Sequence, residues 1–207
     1  MLGWLYRPQC AACAKPTSLP GSPLCPDCEV SLVPLTDEPA APAPLARIAA
    51  AWAFGGALAS AIRRLKFTRA THIARTLAPL WAPVLEAAVV EHDALVVPVP
   101  LHWRRRVRRG FDQSWLLAAH ACAFAKLPPP VGALRRIRHG TAQSTLAGAD
   151  RARNVEGAFC LRREVVGRAV ILVDDVSTTG ATLAAAARPL LEGGAPLVVG
   201  VTVARAE

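Results

Sequence analysis

Residues 170–183 read VILVDDVSTTGATL: an apolar run, two adjacent carboxylates, a hydroxyl-rich turn with one glycine, then the start of a helical pattern. The apolar run is that of a buried strand, which puts Asp174 and Asp175 at its carboxyl end. A helix that follows such a turn opens with unpaired N–H groups and the positive end of its dipole, a natural seat for phosphate. Ser177, Thr178, Thr179 and Thr182 add hydroxyl donors, and Gly180 permits a tight turn and close backbone approach. Adjacent carboxylates would repel a bare phosphate, but they suit the hydroxyls of a ribose one sugar away, or a divalent cation. The set describes a ribose 5-phosphate cradle. A strand ending in Asp-Asp and a Thr-Thr-Gly helix cap are each common alone; in this order, within fourteen consecutive residues, they are specific.

A second reactive set is Cys10, Cys13, Cys25 and Cys28, two Cys-x2-Cys pairs separated by eleven residues. Two chelating pairs can close a tetrahedral thiolate site, for which redox-inert zinc is the expected metal. Four thiolates leave no open coordination position, so the role is structural. Disulfides, a redox pair and an iron–sulfur cluster are the competing uses of the same spacing. The segment is interrupted by Pro8, Pro16, Pro20, Pro23 and Pro26 and can bury little alone, so the metal would supply most of its folding free energy. Cys122 and Cys160 lie in apolar stretches and are expected to be buried core thiols.

Charge is unevenly placed. The chain has 24 basic residues, 21 of them Arg, against 15 acids, for a net charge of +9. A skew toward Arg can follow from genome composition, so it is not in itself a sign of nucleic-acid binding. Residues 101–168, however, hold 13 Arg and Lys126 against Asp112, Asp150, Glu156 and Glu164, a balance of +10 that accounts for the whole excess. A positive field concentrated there attracts phosphates. No G-x-x-x-x-G-K-[ST] or G-x-G-x-x-G sequence occurs, which argues against a P-loop ATPase and a dinucleotide fold.

The elements that must position these groups follow from periodicity. With 207 residues, 53% hydrophobic and 19% charged, the chain is one domain plus an appendage, with ample material for a core. We divide it into a four-cysteine zinc-binding segment (residues 1–33), a Pro/Ala-rich linker (34–46) and one domain (47–207). In that domain, residues 57–66 place Leu58, Ala61, Ile62 and Leu65 on one helical face. Residues 71–90 read as a helix interrupted at Pro79 and Pro83, 94–99 as a buried strand, 102–110 as an Arg-rich loop and 113–125 as a helix. A strand at 169–174, a helix at 182–192 and a strand at 197–204 complete an α/β domain with a mainly parallel sheet flanked by helices. Ligands in such sheets sit outside the carboxyl ends of the strands, where the unusual residues fall. No run of about 18 uncharged apolar residues and no signal-peptide pattern occurs, so we expect no transmembrane segment, reduced thiols and a cytoplasmic protein, or one peripheral at the inner membrane.

Residues 170–183 resemble the phosphoribosyl-pyrophosphate (PRPP) signature of type I phosphoribosyltransferases, and the chain as a whole resembles the ComF family of competence-associated proteins. The resemblance runs through the four cysteines, Arg64-Leu65-Lys66-Phe67, VPVPLHWRRRVRRGFDQS (97–114), RIRHGTAQSTLAGADRARNVEGAF (136–159) and Ala204-Arg205. It implies a type I phosphoribosyltransferase fold with a small zinc-ribbon-like segment. It also implies a pyrophosphate loop around His102, Arg104, Arg105, Arg106, Arg109 and Gln113, and a mobile loop carrying Gln143, Ser144, Arg151 and Asn154. Asp112 departs from the family's usual Asn and would add a negative charge near the pyrophosphate. The implied cofactors are structural Zn²⁺ and Mg²⁺ with PRPP. The implied partners are PRPP or a related phosphorylated ribose, single-stranded DNA, and a helicase or ATPase of the uptake machinery, because the chain has no motor motif of its own. Two functions follow: PRPP binding in the service of DNA uptake, or an active phosphoribosyltransferase of nucleotide-related metabolism whose acceptor is unknown.

Overall fold

The computed structural model describes residues 9–17, 22–37, 40–138 and 157–206. Its centre is a four-stranded, all-parallel sheet in the order β1 (Ile48–Ala53), β6 (Val198–Arg205), β5 (Val170–Ser177), β2 (Leu95–Pro98). Strand alternation sorts the core into two layers. Ile171 and Val173 of β5 and Val199, Val201 and Val203 of β6 face α2 (Gly56–Phe67), α3 (His72–His92) and α5 (Gln113–Phe124). Val170 and Leu172, with Val198, face α6 (Ala181–Glu192) and the antiparallel pair β3 (Leu134–Arg136) and β4 (Phe159–Leu161). Burial on both faces is why β5 and β6 read as continuous apolar runs.

The fold departs from the sequence reading in several places. The expected break in the second helix is absent: α3 is continuous with Pro79 and Pro83 inside it. Between the two prolines, the carbonyl of Leu80 also accepts a hydrogen bond from Trp52 Nε1 of β1 at 2.8 Å. By length and composition α3 could cross a membrane, but Ile73, Leu77, Trp81 and Leu85 are fully buried in the core, so much of its apolar surface already has a partner. The Arg-rich loop is largely a helix, α4 (Trp103–Arg109), capped by His102, whose Nδ1 accepts the Arg104 N–H at 3.4 Å. Strand β5 runs three residues past Asp174, because β6 continues beside it as far as the Ser177–Arg205 pairing. Cys122 is buried as expected, whereas Cys160 is only half-buried.

Strand β1, IAAAWA, carries too little β propensity to be read from sequence. It is held from outside by the Pro-rich stretch: Ala53 N–H donates to the Val33 carbonyl, Leu35 N–H to Ala51, and Ala46 N–H to Val198. The short α1 (Pro26–Glu29) follows Cys25 in the cysteine segment, whose Ala11, Ala12 and Leu24 join the core layer beside α2 and α3.

Candidate functional site

Strand β2 leads into α4 and α5, on one face of the sheet, while its neighbour β5 leads into α6, on the other. The crevice outside their carboxyl ends is therefore a topological switch point, the usual ligand position in parallel α/β sheets. A cavity of about 160 Å³ lies there. Its floor is Asp174 and Asp175 from β5, and Thr182 from the first turn of α6 closes one side. The segment after β2 (Val99, Pro100, Leu101) and the start of α5 (Gln113, Ser114) close the other, and Lys66, Arg105, Arg109 and Arg136 converge on the rim.

The carboxylates differ. Asp175 is 4% exposed; its Oδ1 pairs with Lys66 Nζ at 2.9 Å, and its Oδ2 is buried without a hydrogen-bond partner. Asp174 Oδ1 accepts from Ser114 Oγ and from the Asp175 N–H, both at 2.9 Å. Burial, reinforced by the neighbouring Asp175 charge, raises the Asp174 carboxyl from 3.8 to about 7. Arg109 donates from Nη1 to Gln113 Oε1 at 2.8 Å, lies over the Phe67 ring at 5.4 Å, and keeps its Nε buried and unpartnered. Arg136 lies 5.2 Å over Phe159. Burial lowers the pKa of both arginines. Four cations around two carboxylates, one of them readily protonated, make a site for an anion, and an unpaired buried acceptor on its floor calls for a donor from that anion's own hydroxyls.

Of the residues singled out from sequence, Asp174, Asp175, Thr182, Arg105, Arg109 and Gln113 meet at this cavity. Ser177 is buried in the strand, and Thr178 and Thr179 lie exposed on the adjoining turn, where Thr179 Oγ1 accepts the Ala181 N–H at 3.4 Å. Gly180 starts α6 at φ +72°, where a Cβ would come within 2.6 Å of Ile48 Cδ1 and 2.9 Å of Pro42, so no other residue fits there unstrained. His102 is a buried helix cap, Arg104 lies over Trp103 at 5.3 Å, and Arg106 lines a different groove. The helical form of residues 103–109 explains this sorting, since Arg105 and Arg109 are four apart and share one face. Gln143, Ser144, Arg151 and Asn154 lie outside the described residues.

Asp112 does not line the cavity, although its charge acts on Arg109, which does. Its Oδ2 accepts the Leu101 N–H at 2.8 Å and its Oδ1 the Trp115 N–H at 3.4 Å, so it ties the end of the β2 loop to the start of α5. Lys66, Ser114 and Arg136 were missed as site residues. For Lys66 a signal existed, because a chain with 21 Arg has only 3 Lys and one of them falls at a helix end.

The four N-terminal cysteines also come together, with their sulfurs all within 4.8 Å of one another and Cys13 Sγ 3.7 Å from Cys25 Sγ. Tetrahedral coordination at about 2.3 Å from zinc sets sulfurs about 3.8 Å apart, whereas a disulfide needs about 2.05 Å. The four could thus bind a metal such as zinc. Burial raises the Cys10 thiol, but hydrogen bonds from the backbone of Cys13, Cys25 and Ala12 outweigh it and bring it to about 6. Arg64 Nη1 donates to the carbonyls of Cys10 at 2.9 Å and Ala11 at 2.7 Å, pinning the first pair to α2.

No family model matches the chain. It is 35% identical over 197 residues to the DNA utilization protein YhgH of Escherichia coli, covering 91% of this chain and 86% of that one. It is 36% identical over 129 residues to Competence protein F of Haemophilus influenzae, covering 59% of this chain and 56% of that one. Competence protein ComFC of Bacillus subtilis is 27% identical over 185 residues, with 89% of this chain and 72% of that one covered.

Proposed function

The chain belongs to the ComF family, and from that premise we propose that it binds PRPP, or a related phosphorylated ribose, at the β2–β5 crevice and assists DNA uptake. The observation that carries the first half is the buried, unpartnered Oδ2 of Asp175 beneath a rim of four cations. Ribose hydroxyls would donate to Asp174 and Asp175. The 5-phosphate would sit at the start of α6 near Thr178, Thr179 and Thr182, and the pyrophosphate with its Mg²⁺ would meet Arg105, Arg109 and Lys66. Zinc on Cys10, Cys13, Cys25 and Cys28 would be structural, holding the two cysteine pairs against α2.

The DNA half is supported by relatives named for DNA utilization and competence, and by a net charge of +9. Lacking a motor motif, the protein would work beside a helicase or ATPase, with single-stranded DNA as the shared substrate, in the cytoplasm or peripherally at the inner membrane. A second reading, phosphoribosyl transfer to an acceptor, is favoured by Asp174, a carboxyl at about 7 that can hold or release a proton beside the cavity.

Calorimetric titration of PRPP with Mg²⁺ into the wild type and Asp175→Asn tests the phosphoribose reading. We expect saturable binding that weakens at least about tenfold in the variant, the loss of one or more charged hydrogen bonds. A wild type that takes up no PRPP would overturn the reading and leave the cavity as scaffold.

A further inference from the structure

A second concavity, of about 520 Å³, lies on the far side of the segment that follows β2 and shares only Pro100 with the phosphoribose cavity. Its wall carries an aromatic and a basic part. Trp115 is 42% exposed, and its ring packs over Gly132, where an added Cβ would meet Cζ3 at 3.6 Å. The ring is therefore braced from behind while much of its surface faces solvent, a costly arrangement for a Trp with nothing to cover it. Arg106 enters from α4, and Arg162 and Arg163 enter from the chain after β4. None of the three makes an ion pair or side-chain hydrogen bond among the described residues. The one acid lining the groove, Asp112, has both oxygens engaged by backbone N–H groups.

A rigid exposed indole beside three guanidinium groups that make no ion pair or side-chain hydrogen bond among the described residues is complementary to a planar base flanked by phosphates, even with the Asp112 charge acting on Arg106. We infer that this groove holds an unpaired base of a single-stranded nucleic acid, stacked on Trp115, with the adjoining phosphates on Arg106, Arg162 and Arg163. The strand is favoured over a free mononucleotide because the cations enter the groove from two separate parts of the chain, α4 and the segment after β4, and so can follow a backbone. The inference rests on the DNA half of the proposed function and is independent of the phosphoribose half.

The test is fluorescence anisotropy with a labelled oligothymidylate of about 15 nucleotides, in wild type, Trp115→Ala, Trp115→Phe and the double variant Arg162→Ala/Arg163→Ala. Trp115→Ala should weaken binding about tenfold, and Trp115→Phe, which keeps an aromatic face, should recover most of it. The double Arg variant should flatten the slope of log affinity against log salt by about 1.4, as expected for two lost phosphate contacts on a single strand. If the wild type binds no oligonucleotide, the DNA reading and this site fall together. If it binds but is indifferent to Trp115 and the arginines, only the groove falls. Displacement of the oligonucleotide by PRPP would move the strand to the other cavity, and competition by a mononucleotide at the strand's own concentration would make this a mononucleotide site; either result overturns the assignment.

Discussion

Lys66 Nζ lies 2.9 Å from Asp175 Oδ1, an ion pair between residues 109 apart in sequence that joins the last turn of α2 to the end of β5. The side chains are 22% and 6% exposed, so the pair is shielded but not dry. Its removal from one side leaves Asp175 buried with neither oxygen paired.

Lys66→Met should therefore destabilise the protein by about 2–3 kcal/mol, below the full penalty for breaking a buried pair because the Lys end reaches solvent. Adding Asp175→Asn should return part of that loss, since the uncompensated charge goes with it. Urea denaturation of the two single variants and the double variant closes the cycle. Simple additivity would mean that Lys66 and Asp175 do not support each other.

Asp174 makes stability depend on pH in an unusual direction. Its carboxyl is raised from 3.8 to about 7 in the folded protein, so between those values the native state holds a proton that the unfolded state has released. Stability from this group is full below about pH 4 and declines as pH rises through 7, with a slope on the order of 1 kcal/mol per pH unit at its steepest. Asp174→Asn should flatten the profile between pH 5 and 7 (both about the limits set by the shift). A wild-type profile as flat across that window as the variant's would show Asp174 ionised throughout.

Gly180 and Gly110 offer a matched comparison. Both have positive φ, +72° and +84°, but a Cβ at Gly180 would meet Ile48 at 2.6 Å and Pro42 at 2.9 Å, whereas one at Gly110 meets nothing within 4 Å. Gly110→Ala should cost about 1 kcal/mol, the conformational term alone. Gly180→Ala should cost about 2–4 kcal/mol, because overpacking adds to it. Equal costs, measured by thermal denaturation, would mean that Pro42 and Ile48 move aside freely.

What the sequence disclosed and what it hid have separable causes. Residues 170–183 were legible because strand, carboxylates, turn and helix start are contiguous, so spacing alone carries the geometry. The cysteine cluster was legible for the same reason. The rest of the cationic rim was not: Lys66 and Arg136 come from α2 and β3 and join Arg105 and Arg109 of α4 only through tertiary packing. Within the Arg run the selection of Arg105 and Arg109 depended on helix rather than loop, a choice that seven residues rich in one charge do not settle. The bracing role of Asp112 was hidden because its partners, Leu101 and Trp115, are backbone groups that no side-chain pattern announces.

The last turn of α2 connects more than the carboxylate. Arg64 holds the Cys10 and Ala11 carbonyls, Lys66 holds Asp175, and the Phe67 ring lies 5.4 Å from the Arg109 guanidinium. Three side chains within four residues thus tie the four-cysteine cluster to Asp175 and Arg109 of the β2–β5 cavity. If metal keeps the first cysteine pair in place, it also keeps Arg64, and through it the turn that aims Lys66. Metal removal with a chelator should weaken PRPP binding about 5- to 10-fold, the range of modest site-to-site coupling. By the same linkage, PRPP should raise the affinity for metal by an equal factor, read from the rate of zinc release to a colorimetric chelator. Arg64→Gln, checked for full metal content, should reproduce the weaker PRPP binding and abolish the effect of PRPP on metal release. A metal-free protein that keeps its fold by circular dichroism and binds PRPP as the metal-loaded form does would show that the turn transmits nothing.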